Sequence, residues 1–176
     1  MHGGVRQTYL SSYGNSIFLL NIPPNRNGNL SSTDVSVLKD VGKRIRETYG
    51  SNLLKDANGP KEVLDENEDT SLLLDGTSKE FVITLPKQIT LNRFVLQEAV
   101  NTCSERVEQH SLDAWIDGQW KEISHSTNIG YKRILRFPEV TTEKLRVRIT
   151  ASRLSPKISH VSAHYYRQRP PELQMY

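Results

Sequence analysis

Cysteine is almost missing from this chain: Cys103 is the only one among 176 residues. No intrachain disulfide can form, so a cysteine-stapled scaffold is excluded and the fold has to rest on an apolar core. Cys103 lies in the polar stretch Asn101–Glu105, with no histidine close by to activate it, and reads as a bystander thiol. Long apolar runs are missing too. No stretch reaches the roughly 18 consecutive apolar residues that a membrane-spanning helix needs. The opening Met1-His-Gly-Gly-Val-Arg6 lacks the basic, apolar and small-residue order of a signal peptide. Positive charge is concentrated nowhere. The 23 Lys and Arg against 20 Asp and Glu leave a net charge of +3, scattered over strands and one helix. Nucleic-acid binding needs a concentrated basic stripe, so neither nucleic acid nor membrane is an expected partner. The 5 histidines (His2, His110, His125, His160 and His164) show no ligand spacing. His160 and His164 stand four apart, but on an expected strand that interval has no helical meaning, and no zinc site follows.

The remaining composition, 36% apolar and 24% charged, is that of an ordinary globular chain with one core. Its pattern is clearest from Leu112 to Ile149. Asp117-Gly118 stands between two apolar runs, Trp115-Ile116 and Gln119-Trp120. A type I′ turn needs positive φ at both central positions, which Asp-Gly tolerates, so a hairpin is expected. Tyr131–Phe137 is a further run ending at Pro138, and Leu145-Arg-Val-Arg-Ile149 alternates strictly, with Leu145, Val147 and Ile149 on one side and Arg146 and Arg148 on the other. Short alternating runs broken by turn residues predict a mainly β fold, an antiparallel β-sandwich. Ser71–Leu74 is a short apolar piece ending at the turn Asp75-Gly76, and Phe81–Leu85 (stopped by Pro86), Arg93–Glu98, Val107–Ile116 and Ile158–Tyr166 supply further strands. Gln97–Gln109 is a polar connection, and Arg167–Tyr176 is a Pro-rich tail expected to be loose. Trp115 and Trp120 are assigned to the core, the usual fate of aromatic residues in strands.

The first fifty residues differ. Asn15–Ile22 is a continuous apolar run between Gly14 and Pro23-Pro24, as in a strand buried on both faces. A helix follows over Thr33–Tyr49, capped by Ser31 or Ser32. Asp34 lies in its first turn, Val35, Leu38, Val41, Ile45 and Tyr49 form one apolar face, and Gly50 stands at C′. Two readings stand open. This is either the last strand–helix step of a larger α/β domain, or a strand that pairs with the edge of the sandwich. Residues 51–62 read as a linker.

Two stretches carry a resemblance. Leu19-Leu-Asn-Ile-Pro-Pro-Asn-Arg-Asn-Gly28 with Leu30–Val35 resembles the end of the catalytic barrel in α-L-fucosidases of glycoside hydrolase family 29. Phe94–Glu98, Arg106-Val107, Trp120–Ile123, Ile129–Phe137 and Arg146–Ile149 resemble the discoidin-like, galactose-binding-like β-sandwich that follows that barrel in many bacterial members. The resemblance spans about 15–166 and favours the first reading. Residues 1–50 would then be a barrel remnant (one strand and one helix of a β/α barrel), and 51–176 the sandwich with its tail. It implies a parent enzyme, periplasmic or secreted, that hydrolyses α-L-fucosides with retention, using two carboxylates about 5 Å apart. Neither family carboxylate has a counterpart in this chain, so no catalytic residue is assigned and the chain alone is expected to be inactive. Its expected partners are the missing barrel portion, fucosylated glycans through the parent enzyme, and a second copy through the exposed helix.

Within this frame Asn25 and Arg26 sit at a barrel rim, where they either touch substrate or hold the loop. Gln97, Glu98, Arg106, Tyr131 and Arg153 form the candidate set for sugar binding or interdomain contact, since sugars need planar hydrogen-bonding groups and an aromatic face. No cofactor is expected. The acidic loop Asp65–Thr70 matches loosely the place of a structural calcium in discoidin-like domains. The family's turn glycine is replaced by Glu66, its Trp by Leu72–Leu74, and its closing Glu by His160.

Overall fold

The structure, a computed structural model, describes residues 19–67, 69–76 and 79–167. Helix α1 spans Ser32–Tyr49, followed by the single turn α2 (Lys61–Leu64), β1 (Leu72–Leu73), β2 (Glu80–Glu98), the short helix α3 (Val100–Cys103), β3 (Val107–Ile116), β4 (Gln119–Ser126), β5 (Arg133–Ser152) and β6 (Lys157–His164). The strands run β1-β6-β2-β5-β3-β4, antiparallel throughout.

The two long strands make this array a sandwich. β2 and β5 pair along both halves, Glu80–Thr84 with Lys144–Arg148 and Arg93–Leu96 with Arg133–Arg136. β3 joins only the second half of β5, and β6 only the second half of β2. The array therefore folds over into two layers that share β2 and β5. Phe81, Ile83, Phe94, Leu96, Leu112, Leu145, Val147, Ile158 and Val161 are buried between the layers.

This corrects the expected strand ends. Pro86 and Pro138 do not terminate strands. They lie where the β2–β5 ladder is irregular, between Thr84 and Ile89 and opposite the shift between Leu91 and Arg93. A proline there removes no donor that the ladder uses, so the chain bends and continues. The expected Tyr131–Phe137 strand begins at Arg133 and runs on to Ser152, the polar connection after Gln97 contains α3, and the last strand ends at His164.

The expected hairpin is present. Asp117 and Gly118 take φ of 55° and 76°, and Trp115 pairs with Trp120. Nothing lies within 4 Å of a Cβ placed on Gly118, so only backbone strain opposes a side chain there. Gly118→Val is expected to cost about 1 kcal/mol in chemical denaturation; no change in midpoint would show that the turn adapts.

The two tryptophans are not in the core. Leu112 and Ala114 face inward, so Asp113 and Trp115 face outward by strand alternation. The indoles meet edge to face at 5.2 Å, half-buried on the outer surface beneath Lys144 and Arg146, whose cationic groups lie 5.4 and 4.7 Å from the ring centroids.

α1 begins as expected. Ser31 Oγ accepts the Asp34 amide at 3.1 Å and donates to the Asp34 carboxylate at 2.7 Å. Gly50 ends it for a different reason than a left-handed cap, since its φ is −72°. A Cβ on Gly50 would fall 2.4 Å from the Arg46 carbonyl oxygen. The strand expected over Asn15–Ile22 is not found in its described part. Leu19–Ile22 adopts no strand, and Leu19 is 90% exposed. A doubly buried strand needs neighbours on both edges, and none of the described strands flanks this segment. Residues 15–18 lie outside the described residues, as do 168–176 of the tail.

Candidate functional site

Strand alternation divides the candidate residues. Gln97 and Glu98 are adjacent on β2 and point to opposite faces. Glu98 turns toward one end of the sandwich, where it is 3% exposed. Its Oε1 accepts the amides of Arg106 and Val107 at 2.9 and 3.1 Å, and its Oε2 accepts the Gly130 amide at 2.8 Å. One carboxylate thus ties the β2–β3 connection to the loop before β5. Arg106 extends the tie: its guanidinium donates to the carbonyls of Cys103 at 3.1 Å and Ser155 at 2.8 Å. Three loops are held together at this end, and Tyr131, beside the pinned Gly130, is 53% exposed. Arg153 hydrogen-bonds Glu108 at 3.0 Å on the exposed rim. Glu98, Arg106, Tyr131 and Arg153 therefore belong to one end, with Glu98 and Arg106 building the platform.

Gln97 belongs elsewhere. With Val95, Ile134, His160, Ser162 and His164 it lines the outer face of the second layer, under α1. A cleft of about 580 Å³ separates this face from Val41, Ile45 and Tyr49 of the helix. The helix is anchored at its C-terminal end, where the Tyr49 ring meets His164 edge-on at 5.1 Å. His164 Nδ1 lies 2.8 Å from the Ser51 carbonyl, which can only accept, so Nδ1 carries the proton and Nε2 takes the Ser162 hydroxyl at 2.9 Å. Burial, with the nearby charges of His160 and Lys132, pushes the His164 pKa down. Sequence reasoning missed this cleft because its walls lie far apart along the chain.

Asn25 holds its own loop. Its side-chain oxygen accepts the amides of Asn27 and Asn29 at 2.9 and 3.1 Å, while Gly28 closes the turn with φ of 77°. Arg26 is exposed. In the acidic loop, Asp65 accepts the Asn67 amide at 3.0 Å and the Thr70 hydroxyl at 2.9 Å, and these bonds hold its pKa below the usual carboxylate range. No cluster of three or more potential metal ligands is present among the described residues.

Two enclosed polar groups were also missed. Asp113, outward on β3, takes Arg148 at 2.6 Å and Arg146 at 2.8 Å. Burial alone would raise its pKa, but the two guanidiniums outweigh it and the value is lowered. His110, inward on β3, bonds the Thr127 carbonyl through Nδ1 at 2.7 Å, while its buried Nε2 has no partner. Burial lowers its pKa to about 4, and the charge on Arg133 adds to the shift.

No protein-family model matches the chain. The Arabidopsis thaliana protein named Alpha-L-fucosidase 1 is 27% identical over 89% of this chain and 35% of its own length. A Bacteroides ovatus structure, provisionally named an α-L-fucosidase, is 35% identical with a TM-score of 0.77, over 92% of this chain and 26% of that one. A glycoside hydrolase 29 family member from a rumen bacterium is 27% identical with a TM-score of 0.79, over 97% of this chain and 30% of that one. CpGH89CBM32-5 from Clostridium perfringens shares only the fold, at 13% identity and a TM-score of 0.56, over 64% of this chain and 99% of that one. The chain spans about a third of the curated relatives it matches, 35% of one and 32% of another. Over most of its length, then, this chain is a relative of the α-L-fucosidases of glycoside hydrolase family 29.

Proposed function

We propose that the chain serves as the C-terminal accessory β-sandwich region of an α-L-fucosidase and braces the part that hydrolyses α-L-fucosides. The observation that carries this reading is the exposure of large apolar side chains at the start of the described chain: Leu19, Leu20, Leu30 and Val37 all meet solvent. Apolar side chains left uncovered within one stretch of chain are suited to burial against a partner. The buried carboxylates support it from the other side. Glu98 holds backbone amides and Asp113 holds two arginines, so each has a structural task.

The purified chain is expected to release no nitrophenol from a nitrophenyl α-L-fucoside above the buffer rate. A chimera in which it replaces the matched region of the Bacteroides ovatus protein is expected to fold, and to melt at lower temperature when Leu20→Asp and Val37→Asp are introduced. Turnover by the chain alone, or a chimera indifferent to both substitutions, would count against the bracing role. Left alone, the same surface should pair copies of the chain, seen as a mass that rises with concentration in light scattering.

A second reading is a free-standing carbohydrate-binding module. It is favoured by the likeness to CpGH89CBM32-5, a chain little larger than the sandwich and solved with GalNAc-β-1,3-galactose. Tyr131 and Arg153 on the loop end would then meet the sugar. Calorimetry against fucose, galactose and fucosylated oligosaccharides separates the two readings: binding that Tyr131→Ala removes supports the module, and no heat with any of them leaves the brace.

A further inference from the structure

The His164 ring that meets Tyr49 is held as a catalytic base is held. Its Nδ1–H donates to the Ser51 carbonyl at 2.8 Å, which leaves Nε2 as an acceptor, so the Ser162 hydroxyl at 2.9 Å donates to it. A hydroxyl that donates to a neutral imidazole, with the far side of the ring fixed by a third group, is the arrangement of an activated nucleophile. Both residues border the cleft of about 580 Å³ under α1. We propose that this cleft binds and hydrolyses esters of short apolar carboxylic acids, with Ser162 as nucleophile, His164 as base and Gln97 as donor to the carbonyl oxygen. The reaction is separate from any hydrolysis of α-L-fucosides by a parent enzyme.

The other walls of the cleft fit that substrate. Ser162 pairs with Val95, and His160 with Gln97. Gln97 therefore lies diagonal to Ser162 on the same face, a separation that a long side chain spans. Gln97 is 6% exposed, and among the described residues its side-chain amide makes no hydrogen bond; the Ser159 hydroxyl reaches its main-chain carbonyl instead. A polar group enclosed without a partner is costly. An ester carbonyl supplies that partner, and a donor waiting for the negative charge of a tetrahedral intermediate accelerates acyl transfer. Val95 and Ile134 from the sheet and Val41 and Ile45 from α1 offer an apolar lining for an alkyl chain, and the volume is that of a small-molecule site. Burial holds the His164 pKa below its ordinary value, with the charges of His160 and Lys132 adding to the shift, so the ring is a neutral base at neutral pH.

The steps balance with water as the second reactant. Ser162 Oγ adds to the ester carbonyl carbon while its proton passes to His164 Nε2, and the carbonyl oxygen, now negative, accepts the Gln97 NH₂. The bond to the alcohol oxygen then breaks, and the alcohol departs with the proton from Nε2. Water adds to the acyl-serine in the same way and gives a proton to Nε2. Ser162 Oγ leaves with that proton, and the acid is released. A backbone carbonyl stabilises the imidazolium less than a carboxylate does, so turnover is slow.

The whole chain is tested with nitrophenyl butyrate. Nitrophenol is expected at least about tenfold above the buffer rate, the low end of what a positioned base supplies. Exposed lysines and histidines also release nitrophenol, so Ser162→Ala decides: it is expected to abolish most of the excess while the far-ultraviolet circular dichroism stays unchanged. Turnover at the parent rate in that variant overturns the proposal. Gln97→Leu is expected to lower kcat at least about tenfold with KM nearly unchanged, since its donor acts on the transition state; an unchanged kcat overturns its assignment. The unaltered chain gives an independent reading with an alkyl fluorophosphonate. Ser162 Oγ displaces fluoride from phosphorus, and mass spectrometry is expected to find the phosphonyl group on Ser162. No adduct, or an adduct only on another side chain, overturns the proposal.

Discussion

Glu98→Ala is expected to destabilise the chain by about 4 kcal/mol in urea unfolding, which for a domain of ordinary stability, about 5–15 kcal/mol, is a large part of the total. The carboxylate is 3% exposed and accepts three backbone amides from two different segments. Truncation removes the acceptor and leaves the donors. Each buried amide without a partner costs about 1–3 kcal/mol, and those of Val107 and Gly130 lie in buried surroundings. Glu98→Gln separates charge from geometry. Its amide oxygen can keep Arg106 and Val107, but its NH₂ then faces the Gly130 amide, donor against donor. The loss should be about half as large, with exchange accelerated at Gly130 and not at Val107. A Glu98→Ala protein within about 1 kcal/mol of wild type would show that the three loops hold one another without the carboxylate.

The parts of the fold that were legible in the sequence are those whose cause is local. Asp117-Gly118 announced a turn because its backbone conformation is a property of two residues. Leu145, Val147 and Ile149 announced an inward face because strand alternation needs no partner to be read. Ser31 announced a helix start because its hydroxyl has only to reach Asp34. The failures share the opposite cause. Pro86 and Pro138 read as stops, but whether a proline ends a strand depends on whether the facing strand wants a hydrogen bond there, and the facing strand is fifty residues away. Trp115 and Trp120 read as core because size was weighed above phase; with Leu112 and Ala114 inward, alternation already placed Trp115 outside. The same period could have separated Gln97 from Glu98, which cannot serve one surface from adjacent strand positions. That the helix would anchor through Tyr49 on His164 had no local signal.

The two outer faces of the sandwich explain why only one of them is a candidate for partners. The face made by β2, β5, β3 and β4 covers itself. Arg146 and Arg148 converge on Asp113, Arg148 also reaches Glu122 at 2.9 Å, and Arg146 and Lys144 lie over the indoles. These three long side chains each satisfy a neighbour and shield apolar surface with their stems. The other face, β6 with the second half of β2 and the start of β5, presents Val95 and Ile134 and relies on α1 to cover them. A sheet that needs an outside element on one side only is suited to being held against a larger body on that side.

Acid should unfold this chain earlier than its carboxylates alone would require, and His110 is the reason. Its neutral ring donates from Nδ1 to Thr127, so protonation must occur at Nε2, which is buried without an acceptor and near the charge of Arg133. The folded pKa is lowered to about 4 from an ordinary 6.5. Between those values the unfolded chain binds a proton that the folded chain refuses, so stability is full above the ordinary value and falls as the pH drops toward the folded one. A shift of this size corresponds to about 3 kcal/mol lost between pH 7 and pH 4. His164, shifted in the same direction, adds to the fall. Asp113 acts lower: its pKa is depressed, so its contribution persists through this window and is lost only as the pH falls below the ordinary carboxylate range. His110→Asn isolates the effect, because the asparagine amide can keep the bond to Thr127 and cannot titrate. Unfolding free energies measured every half pH unit should diverge, the wild type losing about 3 kcal/mol more than the variant by pH 4. Parallel curves would mean that the ring finds a proton acceptor in the folded chain, and that the buried Nε2 is not what makes acid destabilising.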